Sequence, residues 1–595
     1  MHKLLRPCWR NLHFHRRNAA NLRLAEQQQR WSSTQEMRTL EDVIADRRQQ
    51  ANRSIVVQVN SERSFSELFT YCQQFGEIEG CHHYKLSHDE LHYILVEFQT
   101  ESSAEAAMSS SCFNEDLSGV PIRSPFLWFR AGKKKGSPAK SASPKTSLSS
   151  LDGIHTIPNN ELDDLLMASQ DVEGQMQTLH RSTVLNDLGT RLRFLAARQV
   201  ESTIAGMFPN ANALPFGSSV NGFGRMGCDL DLILRFDKDS HLGCKSIDSR
   251  LVFHTKETLS NGRSQMQRQM ECIGDLLHLF LPGVYHVRRI LQARVPIIKF
   301  HHEHLDLEVD LSMSNLTGVY MSELLYMFGQ IDDRVRPLTF CLRRWAQTCG
   351  LTNPSPGRWI TNFSLTCLVI FYLQQLKEPI LPPISLFVKS AKSNDLRVTE
   401  DGINCSFLRD VRNLPFKTEN KSSLTELLLQ FFEFYSQFDF NNRAISLNEA
   451  RNIVKPDHSA MYIINPLEQH LNVSKNISLE ECERFRIEVR NAAWILESDM
   501  ERNTSNESRE EPWGLLNLFR TPEKTIIRPN MFFKPRLVEV SELFDDSSAD
   551  GEHRNLEFKN STVKSQVRNA RAQAKNDLKQ LQAKLGGKTG GKAAR

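Results

Sequence analysis

No two cysteines in this chain stand as CxxC, and no Cys/His spacing resembles a zinc site, so a zinc-built module is excluded. The 12 cysteines are scattered from Cys8 to Cys482. That is the distribution of free thiols in a reducing compartment, not of a disulfide scaffold. Nor is any apolar run near the roughly 18–20 residues that span a bilayer. The stretch Leu365 to Leu373 is apolar but short and reads as a buried helix. Internal repeats are absent. An excess of one charge is nearly absent too: 74 Lys and Arg against 70 Asp and Glu leave +4 over 595 residues, so overall charge does not argue for nucleic acid. Hydrophobic residues at 40% are enough for real cores and exclude a disordered chain. On a prior of roughly 100–200 residues per domain, three or four domains are expected.

The charge is unevenly placed. Lys3, Arg6, Arg10, Arg16, Arg17 and Arg23 precede the first acid, Glu26. Arg-rich and acid-poor, residues 1–40 read as a mitochondrial transit peptide, which would place the protein in the matrix; the alternative is a basic arm that binds RNA. Residues 131–152, Lys-, Ser- and Pro-rich, read as a flexible linker, and 541–595 as a basic, largely disordered tail. Within that tail, residues 561–595 carry nine Lys or Arg and one acid, Asp577, a composition that can neutralise phosphates or merely solubilise.

Residues 50–130 carry strand patterns at Ile55–Val59, His92–Phe98 and Phe126–Phe129 and helical spacing at Ser64–Phe75 and Ser103–Ser109. These three strands and two helices fit the order βαββαβ with one strand unassigned between Phe75 and His92, which resembles the RNA recognition motif. Two stacking positions hold Val56 and Leu95 in place of aromatics, and each missing platform removes roughly 1–3 kcal/mol per base. A protein-interaction module, forming a homodimer through this domain, is therefore expected instead of an RNA reader.

Three motif-like strings carry no weight. Gly222-Phe-Gly-Arg-Met-Gly227 matches GxGxxG, but a strand follows it where a dinucleotide site needs a helix. Gly587-Lys-Thr589 lacks the P-loop spacing. His301, His302, Glu303 and His304 fall between two strand patterns, in an expected exposed turn.

The chemistry lies elsewhere. Phe216-Gly-Ser-Ser219 offers backbone N–H groups and a hydroxyl to a triphosphate. Asp229 and Asp231 stand two apart on an expected strand, so their carboxylates share a face. Asp306, Glu308 and Asp310 alternate likewise on a second strand pattern, Leu305–Leu311, and Asp310 has the best context. Oxygen donors of this kind suit Mg²⁺ or Mn²⁺. Three carboxylates on a small sheet can hold two metals, one activating an RNA 3′-hydroxyl and the other steadying pyrophosphate.

From about 180 to 500 the chain resembles the noncanonical poly(A) polymerases and terminal uridylyltransferases of the polymerase-beta-like superfamily. The Gly-Ser pair, the DxD, the later Asp and the run Trp359-Ile-Thr-Asn-Phe-Ser-Leu-Thr366 carry the likeness. The fold it implies is α+β: a nucleotidyltransferase palm at 187–330 with a small mixed sheet, and a helical central domain from 153–186 and 331–540. The activity implied is template-independent addition of AMP from ATP to RNA 3′ ends, here mitochondrial transcripts. Terminal uridylylation and a catalytically silent RNA-binding scaffold are the alternatives.

By the same likeness Gly217 and Ser218 would hold the triphosphate, while Asp229, Asp231 and Asp310 would bind metal and carry catalysis. Asn315 and Ser322 would contact the ribose. Arg343 and Gln347 stand where the family has two phosphate-binding lysines; the arginine keeps the charge and the glutamine loses it. Asn362 and Phe363 would meet the base. In Asn465–Val473, which resembles the nucleotide recognition motif, Glu468 would order the loop or touch the base. Leu471 replaces a histidine of UTP-preferring members, which favours ATP.

Overall fold

Two five-stranded sheets and a helical body make up the computed structural model, which describes residues 37–86, 91–113, 122–130, 147–149, 152–208, 211–236, 262–353, 355, 357–503 and 512–520. Most of the expected leader and linker, and all of the expected tail, lie outside the described residues. The architecture is mixed α and β, as expected.

Thr39 opens the first helix, α1 (Leu40–Asn52), its hydroxyl accepting from Asp42 N at 3.2 Å, the usual N-cap bond. There follow β1 (Ser54–Val59), α2 (Phe65–Cys72), β2 (Ile78–Lys85), β3 (His92–Phe98), α3 (Glu101–Ser109), β4 (Phe126–Trp128) and β5 (Leu148–Ser149). The sheet order is β4-β1-β3-β2-β5, with β4 parallel to β1. β5 lies inside the stretch read as a tether, yet pairs parallel with β2.

Alternation along the strands divides this sheet into two faces. Ile55, Val57, Ile94 and Val96 pack on Leu68, Phe69, Ala104 and Ala107 from the two helices. Val56, Tyr84, Tyr93 and Leu95 point the other way, into a core shared with the second sheet. Val56 and Leu95, the positions lacking aromatics, are fully buried. The face on which an RNA recognition motif stacks bases is therefore covered by protein.

Next come α4 (Asn159–Met167), α5 (Val172–Thr183), α6 (Asp187–Ile204), β6 (Ala211–Phe216), β7 (Leu230–Phe236), α7 (Gly262–Phe280), β8 (Val284–Ile290), β9 (Ile297–His302) and β10 (Leu307–Ser312). The second sheet has the order β6-β7-β10-β9-β8; only the β7–β10 pair is parallel. The edge strands β6 and β8 escaped sequence reading for physical reasons. β6 is short and carries Pro215, tolerated at an edge because no ladder N–H is lost. β8 is largely exposed and lacks an apolar alternation.

Helix α6 clamps the two sheets. Arg198 donates to Ala51 O at 2.8 Å and Ser54 O at 3.0 Å. Arg191 pairs with Glu97 of β3, and Arg47 of α1 pairs with Asp187 at 2.6 Å.

The His301–His304 segment is not the exposed turn that was expected: His301 and His302 end β9, only Glu303 and His304 enter the turn, and of the four only Glu303 is exposed. His302 is 1% exposed and hydrogen-bonds Gln199 Oε1 at 2.7 Å. Phe126 of β4 stacks beside His302 and His304, and Tyr93 Oη lies 3.1 Å from His304 Nδ1. The first sheet covers the turn, an event no local pattern announces. Asp306 is likewise not on the strand: it adopts φ 45° in the turn and faces His301.

The helical body comprises α8 (Leu316–Ile331), α9 (Val335–Thr348), α10 (Asn362–Gln375), α11 (Ile384–Lys389), α12 (Leu424–Gln437), a hairpin of β11 (Arg443–Ser446) and β12 (Arg451–Val454), α13 (Leu479–Asn503) and α14 (Leu515–Phe519). α10 is the buried helix foreseen from Leu365–Leu373, apolar all round because other helices surround it. α5 joins the same core through Met176 and Leu179. Among the described residues no helix is long and apolar enough to cross a membrane.

Candidate active site

Phe216 ends β6 opposite Asp231 of β7, and the chain turns sharply. Gly217 adopts φ 66°, and a Cβ there would lie 2.5 Å from Asp231 Oδ2. Only glycine fits both the backbone and the neighbour. Gly217–Ser219 form one turn of 3₁₀ helix. The Gly217 N–H donates to Ser322 Oγ at 2.7 Å, and that hydroxyl donates to Gly318 O at 2.8 Å. Ser322, expected at the ribose, is buried and braces the turn from α8.

Asp310 pairs in register with Asp231 across the parallel β7–β10 ladder, and Asp229 immediately precedes β7. Burial, then the charges of Asp310 and Asp229, push Asp231 up to about 7. Burial raises Asp229 as well. Lys299, cross-strand from Asp310, is the counter-charge: Nζ lies 3.0 Å from Asp310 Oδ1 and 2.8 Å from Glu308 Oε2.

Among the described residues no three His, Cys, Asp or Glu side chains are gathered closely enough to enclose an ion. The three expected carboxylates are neighbours, but Asp310 is engaged by Lys299. The donor chemistry still suits a hard cation: oxygen ligands only, on adjacent strands, with one carboxyl pushed up by burial and then by its anionic neighbours.

A glycine-rich loop, residues 221–228, lies beside the turn. A Cβ at Gly224 would collide with Ser218 O, so the loop presses on the Gly-Ser turn. One face of α9, with Arg336, Arg343 and Gln347 at i, i+7 and i+11, holds this loop. Arg336 lies against Gly222, Arg343 Nη1 donates to Phe223 O at 2.6 Å, and Gln347 Oε1 accepts from Arg225 Nη1 at 3.1 Å. Arg343 Nη2 also donates to Thr366 Oγ1 at 2.6 Å. Thr366 stands one turn beyond Asn362, which is exposed, and near Phe363, which is half-buried against the helical core.

Asn315 caps α8, its Oδ1 accepting from Gly318 N at 3.1 Å. Two residues on, Thr317 Oγ1 donates to Glu468 Oε1 at 3.1 Å, and Arg294 pairs with the other Glu468 oxygen. Glu468 thus ties the 465–473 loop to the end of the palm sheet. Asn465 and Asn472 pin that loop's register, Asn472 Oδ1 accepting from Ile463 N at 3.0 Å. Leu471 is half-buried and His470 exposed. Sequence reasoning missed Lys299, Arg294, Thr317 and Arg225. Only Lys299 carried a signal, its place opposite Asp310 in a hairpin.

Residues 172–330 match the family described as "Poly(A) RNA polymerase, mitochondrial-like, central palm domain", and 423–480 match the Cid1 family poly A polymerase. The chain is similar to the mitochondrial poly(A) RNA polymerase of Drosophila melanogaster, 63% identical over 556 residues, covering 91% of this chain and 90% of that protein. The chain belongs to the mitochondrial poly(A) RNA polymerase family. The Homo sapiens relative is 35% identical over 80% of this chain and 79% of its own length. Among solved structures, one described as mtPAP in complex with ATPgammaS superposes with a TM-score of 0.72 at 35% identity, over 81% of this chain and 99% of the other. The nucleotidyltransferase fold follows from this likeness.

Proposed function

We propose that this chain is a mitochondrial polynucleotide adenylyltransferase, adding AMP from ATP to the 3′ ends of mitochondrial transcripts and releasing pyrophosphate. The observation that carries the reading is the register of Asp310 beside Asp231, at the end of the sheet where the Gly217–Ser219 turn begins. Family relatives named for the same activity support it.

In this reading residues 1–40 are the leader, 50–130 a module for homodimer formation, 187–330 the palm, and 153–186 with 331–540 the helical domain. The stacking face, covered by this chain's own second sheet, argues against base reading by the module. Ser218 and the Gly217–Ser219 turn around it receive the triphosphate, with Gly217 giving the shape that lets phosphate approach Asp231. Asn315 lies at the ribose, Asn362 and Phe363 at the base, and Ser322 acts through Gly217.

Asp229, Asp231 and Asp310 would hold Mg²⁺ or Mn²⁺, which when bound lowers the pKa of a hydroxyl and neutralises a leaving pyrophosphate. Asp310 orients the primer hydroxyl and takes up its proton once Lys299 releases it. Leu471 offers a base no hydrogen-bond donor, so nothing there rewards a uracil carbonyl.

Extension of an RNA primer with each nucleotide separately tests the proposal. ATP should be used best and Asp229→Asn should abolish extension while RNA binding persists. Preference for UTP would replace adenylylation by uridylylation. Full activity in Asp229→Asn would remove the carboxylates from the mechanism.

A further inference from the structure

The cations around the Gly217–Ser219 turn are mostly committed. Lys299 is held by two carboxylates. Arg193 donates to Gly189 O at 3.1 Å and Cys228 O at 2.6 Å. Arg343 is half-buried, its two terminal nitrogens spent on Phe223 O and Thr366, and its buried Nε has no partner. Burial pulls Arg343 down to about 10, and the groups acting on it are Cys228, Arg225 and Cys367, with no carboxylate among them.

Arg225 stands apart. It is exposed, on the loop whose Gly224 presses against Ser218, and its hydrogen bond goes to a neutral amide oxygen, Gln347 Oε1. Arg225 opposes the charges of both Arg343 and Arg344; Asp163 offsets Arg344, but no carboxylate acts on Arg343, an arrangement suited to a polyanion.

We infer that Arg225 is a triphosphate-binding residue: steadied by Gln347, its guanidinium forms with Arg343 the positive wall that receives the outer phosphates of the incoming nucleotide. The glutamine at 347 is then not a lost contact. It is a positioning residue that accepts from the loop arginine and hands the charge of α9 to Arg225. The inference deepens the proposed function and rests on the Gly-Ser turn being the nucleotide cradle.

Arg225→Ala, Arg225→Lys and the double variant Arg225→Ala/Gln347→Lys test it in the full chain with magnesium. Binding of ATP and of AMP is measured by calorimetry, alongside KM and kcat for extension. A charge-assisted phosphate contact predicts that Arg225→Ala weakens ATP by about tenfold to a hundredfold and leaves AMP within about twofold. KM should rise with little change in kcat. Arg225→Lys should retain part of the affinity, and Gln347→Lys should restore most of it by putting the charge back on α9. Equal weakening of ATP and AMP in Arg225→Ala, or no recovery in the double variant, would overturn the inference and leave the adenylyltransferase reading standing. A parent protein that binds no ATP would overturn both.

Discussion

Acid should part the two sheets at His302, and one substitution isolates that effect. The ring is buried between α6, β4 and the palm hairpin. Gln199 Oε1 accepts from Nε2, which assigns the neutral tautomer with its hydrogen there. Burial first, then the neighbouring His304 and His301, push His302 down to about 3. The folded pKa is depressed, so at intermediate pH the unfolded chain binds a proton that the folded chain refuses. The stability involved is fully present above the unfolded value of about 6.5 and is lost as pH falls toward 3. At pH 5 the gap from 6.5 is about 1.5 units, and at about 1.36 kcal/mol per unit the loss is about 2 kcal/mol. His302→Leu fills most of the ring's volume and cannot titrate. At pH 7.5 it should cost about 1–3 kcal/mol, because Gln199 Oε1 is left buried without a donor. At pH 5 the parent gives up its own share, so the difference between the two proteins should shrink by about 2 kcal/mol. Urea unfolding of parent and variant at both pH values measures this. A difference that does not change with pH would refute the account of His302 as a buried neutral ring.

Gly217→Ala forces a Cβ toward Asp231 Oδ2 at a backbone angle of φ 66°. It should reduce extension at least about a hundredfold with a small loss of melting temperature. Glu468→Ala frees the recognition loop from Thr317 and Arg294. It should raise KM for ATP and narrow the ATP-to-UTP preference, and Glu468→Gln should fall between because the amide still accepts from Thr317. An unchanged preference in both would remove Glu468 from base selection. Leu471→His supplies a ring donor in the loop, and the ratio of UTP to ATP incorporation should rise in single-nucleotide assays.

Local signals and long-range ones separate cleanly in this chain. The β7 and β10 patterns were legible because alternation of acids with Leu, Ile and Val reports a half-buried strand wherever it occurs. α10 was legible because an apolar run of its length, bounded by Thr361 and a polar Gln pair, has little else to become. The helix α1 was not foreseen: its mean composition is polar, and its place is set by Arg47 and Arg48 finding Asp187, Asn212 and Glu201 well over a hundred residues away. The buried histidine turn failed for the same reason. A polar string between two strands reads as exposed unless the element that covers it is known.

The site shows the limit more sharply. Residue types predicted the anions of this centre but not their partners, because an acid on a strand advertises itself by alternation whereas a compensating base can arrive from anywhere. Lys299 lies on the next strand of the same hairpin, Arg294 precedes that strand, and Arg225 sits in a loop. Lys299 carried at least its hairpin position as a signal; Arg294 and Arg225 were anonymous until their neighbours were in place. Charge balance then explains features that single residues do not. The crowded carboxylates call for Lys299 in the folded chain, and under the proposed function that same ion pair opens before Asp310 takes a primer proton. Along α9, the half-buried Arg343 and the amide of Gln347 meet the loop that carries Arg225, and the inferred phosphate role of Arg225 gives both a purpose. A centre built this way stays folded by lending its charges to one another and works by giving them back to substrate. Removal of one crowded carboxylate, as in Asp231→Asn, should therefore raise the melting temperature while weakening binding of ATP with magnesium, and a lowered melting temperature would refute the crowding argument.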